Sequence, residues 1–240
     1  MTVFMTSSPC VIGADRAILS NANGFIDKLK AALPPRPRAL YLCSDPNNHA
    51  DTDASGRDMC TALREADIAI SHWAVLDGRN EQDAQLLIWE SDLILLAGGH
   101  VPTQNLFFQR IQLAKLLKNY QGVILGISAG SMNCARRVYA QPEEPGESRA
   151  DFRRFYPGLG LSEINILPHY QQVYDRMLDG KRLYEDVTYP DSIGNSFLSL
   201  VDGSYILEQK GETTLYGEAY AVTDGKFYQI SHADEIVPLG

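Results

Sequence analysis

Cysteine is scarce in this 240-residue chain, and the four present (Cys10, Cys43, Cys60 and Cys134) show no CxxC spacing. That absence argues against a zinc ribbon or a dithiol redox site. Each cysteine lies in or beside an apolar stretch, which predicts buried free thiols and no metal centre. Clustered positive charge is missing as well, because the formal net charge is -9 and no run of Lys and Arg stands out. A polyanion needs a basic surface, so nucleic acid is not expected as a partner. No stretch of about 18 apolar residues occurs, so neither a membrane span nor a membrane partner is expected. The opening Met-Thr-Val-Phe-Met-Thr-Ser-Ser has neither the charged start nor the long apolar centre of a secretory signal, which predicts a cytoplasmic protein. Internal repeats and low-complexity segments are also absent.

What is present reads as a folded α/β chain. Hydrophobic residues make up 45% and charged residues 21%, an ordinary globular balance in a chain long enough for one sizeable core. Strands are predicted at Val3 to Met5, Ala39 to Cys43, Ile68 to Leu76, Asp92 to Ala97 and Gly122 to Ile127. Helices are predicted between them at about Asp15 to Leu33, Thr52 to Ala66, Glu81 to Glu90 and Thr103 to Asn119. A further helix is predicted from Ala129 to Tyr139. The runs DLILLA and GVILGI are almost wholly apolar, as central parallel strands buried on both faces should be. After Ala140 the texture changes. Gln141 to Arg154 reads as a long polar loop, and from Phe197 strand-like runs are separated by Asp202-Gly203, Lys210-Gly211 and Asp224-Gly225 turns. The expected fold class is therefore α/β: one domain over residues 1–240, a doubly wound, mostly parallel sheet flanked by helices, with a C-terminal antiparallel extension.

One segment carries chemistry. Gly126-Ile127-Ser128-Ala129-Gly130 lies between a buried strand and a predicted helix, the arrangement that exposes a nucleophilic hydroxyl on a sharp turn. The Ala129 N–H would face a developing oxyanion. A bare G-x-S-x-G recurs by chance, and the flanking strand and helix give it weight. A serine needs a base, and five histidines are available. His49 lies in a polar loop and His72 in a predicted strand. His100 and His169 both follow strand ends, where sites form in open α/β sheets, and position alone does not separate them.

The segments LLAGGHVPTQN, GISAGSMN, PGLGL…ILPHY and LVDGSYI resemble the peptidase E (aspartyl dipeptidase) and cyanophycinase group. The likeness runs from the first strand to about Ile230. It implies a fold similar to class I glutamine amidotransferases, with serine in place of cysteine at the elbow. By this resemblance Ser128 is the nucleophile and His169 the general base, with Gly99 and Ala129 supplying the oxyanion N–H groups. Asp202 and Glu143 both match acidic positions that could orient His169. Asp202 is preferred, since a strand-end turn holds a carboxylate more rigidly than a mobile loop. His100 departs from the Asn found in many relatives, and it is read as a candidate substrate-binding group.

The expected reaction is hydrolysis, through an acyl-enzyme, of a small peptide with an acidic residue on the acyl side. Such a substrate needs a cation, for which Arg182 is the candidate and Arg137 the alternative. No cofactor is expected, and the chain is read as a monomer or homodimer. Two other readings stay open. An α/β-hydrolase-type esterase or amidase would use Ser128, Asp202 and His232. A non-catalytic protein would keep the elbow only as a small-ligand pocket. Tyr170, Tyr174, Tyr184 and Tyr189 are read as either cleft lining or packing.

Overall fold

In the computed structural model, which describes residues 1–239, strand and helix alternate through the first half of the chain. β1 (Thr2–Thr6) leads to α1 (Phe25–Ala32), β2 (Arg38–Leu42), α2 (His49–Glu65), β3 (His72–Leu76) and α3 (Ala84–Trp89). Then come β4 (Leu93–Leu96), α4 (Val101–Arg110), α5 (Leu113–Leu116), β5 (Val123–Ile127) and a single turn, α6 (Ala129–Met132). The middle of the chain holds β6 (Arg137–Tyr139), β7 (Phe155–Pro157), β8 (Asn165–Leu167), α7 (Tyr170–Val173), β9 (Met177–Leu178), β10 (Lys181–Arg182) and α8 (Tyr189–Asp191). The last strands are β11 (Ser196–Leu200), β12 (Tyr205–Gln209), β13 (Glu212–Tyr216), β14 (Ala219–Thr223), β15 (Lys226–Ser231) and β16 (Ile236–Pro238).

The main sheet has the order β16-β13-β12-β1-β5-β4-β2-β3. Its five strands from β1 to β3 are parallel, and β12, β13 and β16 extend it antiparallel at one edge. The parallel strands alternate their side chains between two cores, as a sheet covered on both faces must. Phe4, Tyr41, Leu93, Leu95 and Leu125 pack with Phe25 and Leu29 of α1 and Met59 and Leu63 of α2. Val3, Met5, Leu40, Ile94, Leu96 and Ile124 pack on the other side with Phe107 and Phe108 of α4. That second core also takes Ile166, Phe197 and Leu200. These belong to a separate four-stranded sheet of order β15-β14-β11-β8, in which β8 and β11 are parallel. The antiparallel C-terminal extension is thus present, divided between the edge of the main sheet and this second sheet.

Three helices differ from the sequence expectation. The first spans only Phe25–Ala32, because Asn23 and Gly24 adopt φ of 54° and 70° and break the helical path. The fourth starts at Val101, with Pro102 in its first turn where a missing N–H costs nothing. It stops at Arg110, and Gln112 at φ 53° separates it from α5. The helix after the elbow lasts one turn and gives way to β6. There the chain pairs sideways instead: Arg136 N–H donates to Ser162 O (2.8 Å), Leu159 N–H to Asn133 O (3.0 Å) and Leu161 N–H to Cys134 O (2.9 Å). The third strand also begins later than read, at His72. All four thiols are free, and three of them are buried.

Candidate active site

Because β1, β4 and β5 are parallel, their C-terminal ends open on one side of the main sheet, and the ends of β8 and β11 meet them there. Ser128 follows β5 directly, with φ 49° and ψ -110°, a conformation that L-residues seldom adopt. Its N–H is held by Thr6 O and Ser7 O at 3.1 and 3.2 Å, so the end of β1 supports the turn. The flanking glycines are needed for space. A Cβ on Gly130 would lie 2.1 Å from Leu96 O, and one on Gly126 would lie 2.7 Å from Ser131 Cα. The backbone after the elbow therefore rests directly on β4, which leaves Ser128 raised and half-buried.

Ser128 Oγ lies 2.9 Å from His169 Nε2, and His169 Nδ1 lies 2.7 Å from Asp202 Oδ1. His169 follows Pro168 after β8 and adopts φ 59°, while Asp202 follows β11 by two residues. The imidazole is partly open and the Asp202 side chain is 1% exposed. Burial pushes the Asp202 carboxyl up, but hydrogen bonds from His169 and Ser7 and the imidazole charge outweigh it and leave the group below its ordinary value. An ionised Asp202 favours the tautomer with its proton on Nδ1, which leaves Nε2 free to accept the serine proton.

Ser7 was not singled out in the sequence. Its hydroxyl donates to Asp202 Oδ1 (2.6 Å) and accepts the His169 N–H (2.7 Å), so it ties both partners to the end of β1. Gln171 and Gln172 each donate to Asp202 Oδ2 at 2.7 Å. The available signal was positional, since Ser7 lies two residues past the predicted strand Val3 to Met5 and directly follows the observed β1.

Ala129 directly follows Ser128 and Gly99 lines the same cavity, and no backbone acceptor is recorded for either N–H among the described residues. Gly99 has φ 148°, and a Cβ there would meet Ser44 Cβ at 2.5 Å. The Gly99 strand end is fixed from below by a buried amide chain. Gln104 donates to Ala97 O (2.8 Å), Asn133 to Gln104 Oε1 (3.0 Å) and Asn105 to Asn133 Oδ1 (2.8 Å). This network uses the polar residues of the HVPTQN and SMN segments to join α4 to the elbow.

A cavity of about 320 Å³ opens beside Ser128 and His169, lined also by Gly99, Gln141, Glu143, Gln172 and Arg176. Glu143 is brought to the cavity, while Asp202 is the carboxylate in contact with His169. Burial pushes the Glu143 carboxyl up. His100 faces elsewhere, with Nδ1 at Thr103 Oγ1 (2.7 Å) and Nε2 at Glu147 Oε1 (2.9 Å). His100, Glu144 and Glu147 are the only grouping of metal-ligand side chains among the described residues. Glu147 is already occupied by His100 and by two backbone N–H groups.

Arg182, expected at the substrate, lies outside the cavity. Its guanidinium is exposed and bound to Asp186 Oδ1 (2.8 Å), one helical turn ahead. Arg137 is also elsewhere, over the Phe155 ring with Nη1 on Asn195. Arg176, which the sequence reading passed over, is the cation at the cavity wall. The four tyrosines pack on one another and on Phe227 and are not cavity lining. His232 is exposed and its N–H donates to Glu235, so the alternative base is not at the serine. Burial raises the Cys134 thiol well above its ordinary range, as befits a packing residue.

The family model for peptidase family S51 matches residues 46–215, well over half of the chain. No curated protein matches the sequence. Among solved structures, a peptidase from an acI-B1 Actinobacterium superposes with a TM-score of 0.65 at 14% identity, covering 99% of this chain and 96% of that one. A protein assigned as peptidase E from Listeria monocytogenes EGD-e superposes with a TM-score of 0.62, also at 14% identity, covering 96% of this chain and 98% of that one. At such identity these two likenesses speak for the fold.

Proposed function

The chain belongs to peptidase family S51, a family of serine peptidases, and from that premise we propose that it is a dipeptidase cleaving small peptides with an acidic residue on the acyl side. The observation that carries the mechanism is the continuous contact from Ser128 Oγ through His169 to Asp202, at 2.9 and 2.7 Å. His169 Nε2 takes the hydroxyl proton as Oγ attacks the scissile carbonyl. The N–H groups of Gly99 and Ala129 receive the developing oxyanion. His169 then protonates the leaving amine, and water repeats the sequence on the acyl-enzyme while Asp202 holds the imidazole in place. Arg176 supplies the cation for the acidic side chain of the substrate.

The test pairs a fluorophosphonate probe with a dipeptide screen. The probe should label wild type and fail on Ser128→Ala, with His169→Ala slowed by at least about a thousandfold. Asp-X dipeptides should be the best substrates, and Arg176→Met should lower their kcat/KM by about 10- to 100-fold while neutral dipeptides change little. An unlabelled, folded wild type would sink the nucleophile assignment. Equal effects of Arg176→Met on acidic and neutral substrates would remove Arg176 from substrate recognition.

A further inference from the structure

The turn after β1 holds a side chain that the mechanism above does not use. Ser7 is completely buried, and it touches Ser128, His169 and Asp202 alike. Its carbonyl accepts the Ser128 N–H at 3.2 Å, its hydroxyl accepts the His169 N–H at 2.7 Å, and the same hydroxyl donates to Asp202 Oδ1 at 2.6 Å. Leu200 O, at 3.3 Å, is a second acceptor within its reach. A hydroxyl has one proton, and the ionised carboxylate is the stronger and nearer acceptor.

Each contact answers a specific need. His169 has φ 59°, a conformation that a residue other than glycine keeps only where its surroundings hold it. Its N–H is anchored by the Ser7 hydroxyl, so the direction in which the imidazole leaves the backbone depends on that oxygen. Asp202 Oδ2 accepts from the exposed Gln171 and Gln172, whereas Oδ1, the oxygen at the imidazole, accepts from Ser7 on the buried side. Burial pushes the Asp202 carboxyl up, and the hydrogen bonds from His169 and then Ser7 hold it below its ordinary value. The turn itself forms without the hydroxyl. Ser7 N–H donates to Ser204 O at 3.2 Å and Ser8 O accepts the Gly203 N–H at 3.0 Å, so the backbone alone joins β1 to the turn that carries Asp202.

We propose that Ser7 is a positioning residue for the reaction, holding His169 and Asp202 in register with Ser128 across the junction of the two sheets. The inference rests on the reading of Ser128 as nucleophile. Ser128 is carried by the main sheet, and His169 and Asp202 by strand ends of the second, so the distance from nucleophile to base is set between sheets. Ser7 presents its backbone oxygen to the nucleophile and its hydroxyl to the base and the acid. Without the hydroxyl, the elbow keeps its support from Thr6 O and Ser7 O, while the His169 N–H and Asp202 Oδ1 each lose a partner. The imidazole is then free to tilt away from Ser128 Oγ, and a small error in that 2.9 Å contact slows proton transfer without closing the cavity. The defect falls on the chemical step and leaves binding alone.

The experiment measures fluorophosphonate labelling over a range of probe concentrations, which separates the maximal rate from the half-saturating concentration. It compares wild type with Ser7→Ala, Ser7→Cys and Ser7→Thr, with folding checked by circular dichroism. Ser7→Ala should lower the maximal rate by about 10- to 100-fold and leave the half-saturating concentration within about twofold. Ser7→Cys, which fills the space with a weak donor, should lose a similar factor and carries the same prediction if the alanine variant does not fold. Ser7→Thr, which keeps the hydroxyl, should recover part of the rate. A double-mutant cycle shows what Ser7 acts through. In the Asp202→Asn background Ser7→Ala should cost less than about threefold, because residues that act as a unit are not additive. A labelled wild type matched in rate by Ser7→Ala would overturn the proposal alone. So would equal losses in both backgrounds, or a change confined to the half-saturating concentration, since a serine that only supports the fold gives either. An unlabelled, folded wild type would remove the premise, and the proposal with it.

Discussion

Asp202 shows how much a single buried carboxylate can organise. Its two oxygens accept from His169, Ser7, Gln171 and Gln172, so every strong acceptor position faces a donor. An asparagine there would present an amide to groups that all want an acceptor, and the imidazole would turn toward the wrong tautomer. Asp202→Asn should therefore lower kcat by roughly 10³- to 10⁴-fold with a small change in KM, measured on the best dipeptide. The same substitution has a stability signature. The Asp202 carboxyl is depressed in the folded chain, so the unfolded chain binds protons more readily near the ordinary value of 3.8. Its contribution is fully present above that value and disappears as pH falls below it. Wild type should lose more stability than Asp202→Asn between neutral pH and the acid side of that value, as read by urea midpoints. Equal losses would mean that Asp202 titrates as an unperturbed group. At this scale Ser128 stood out because it follows a strand end within a distinctive short segment, whereas His169 and Asp202 were singled out only by the family resemblance, with His100 and Glu143 as rivals. Ser7 and Arg176 were not legible, since a lone serine after a strand and an arginine among polar residues have no local mark.

The elbow is decided by contact between elements. Its one helical turn rests on β4 so closely that Gly130 has no room for a methyl group, the nearest atom being the Leu96 carbonyl oxygen. Gly130→Ala should destabilise the protein by about 3 kcal/mol or more, because a backbone atom cannot move aside as a flexible side chain can. Gly56 provides the contrast. It lies within α2, where a Cβ would meet the Tyr41 ring at an ordinary 3.4 Å. Gly56→Ala should stabilise by about 0.5–1 kcal/mol through helix propensity. Chemical denaturation of both variants checks the pair, and a harmless Gly130→Ala would show that the elbow has slack. Elements also explain the helix discrepancies. A 3.6-residue pattern of apolar side chains continues across Asn23, Gln112 and the segment after Met132, yet the backbone leaves the helix at each. At the first two a residue takes positive φ, and at the third the chain exchanges helical hydrogen bonds for bonds to residues 158–162.

For the whole molecule, the site exists only where two sheets meet. Ser7, Gly99 and Ser128 come from the main sheet, whereas His169 and Asp202 come from strand ends of the second sheet. The Ser7 hydroxyl bridges the two, and one continuous core containing Leu40, Ile94, Ile166 and Leu200 lies beneath them. A shared core predicts that the sheets melt together, so fluorophosphonate labelling and far-UV circular dichroism should be lost in a single urea transition. Labelling lost well before the secondary structure would mean that the second sheet detaches on its own.

The sequence by itself determined the class of fold, the identity of the elbow and the chemical nature of the groups around it. Runs such as DLILLA carry burial on both faces in their composition, and G-x-S-x-G between strand and helix encodes a turn whose geometry is local. The tertiary structure alone decided which carboxylate meets His169, which arginine reaches the cavity and where His100 points. Those outcomes depend on residues 30 to 200 positions apart meeting at strand ends, and on competing partners such as Asp186 for Arg182 and Glu147 for His100. A short polar side chain turns to whichever partner the fold brings within about 3 Å, and that choice is made by packing.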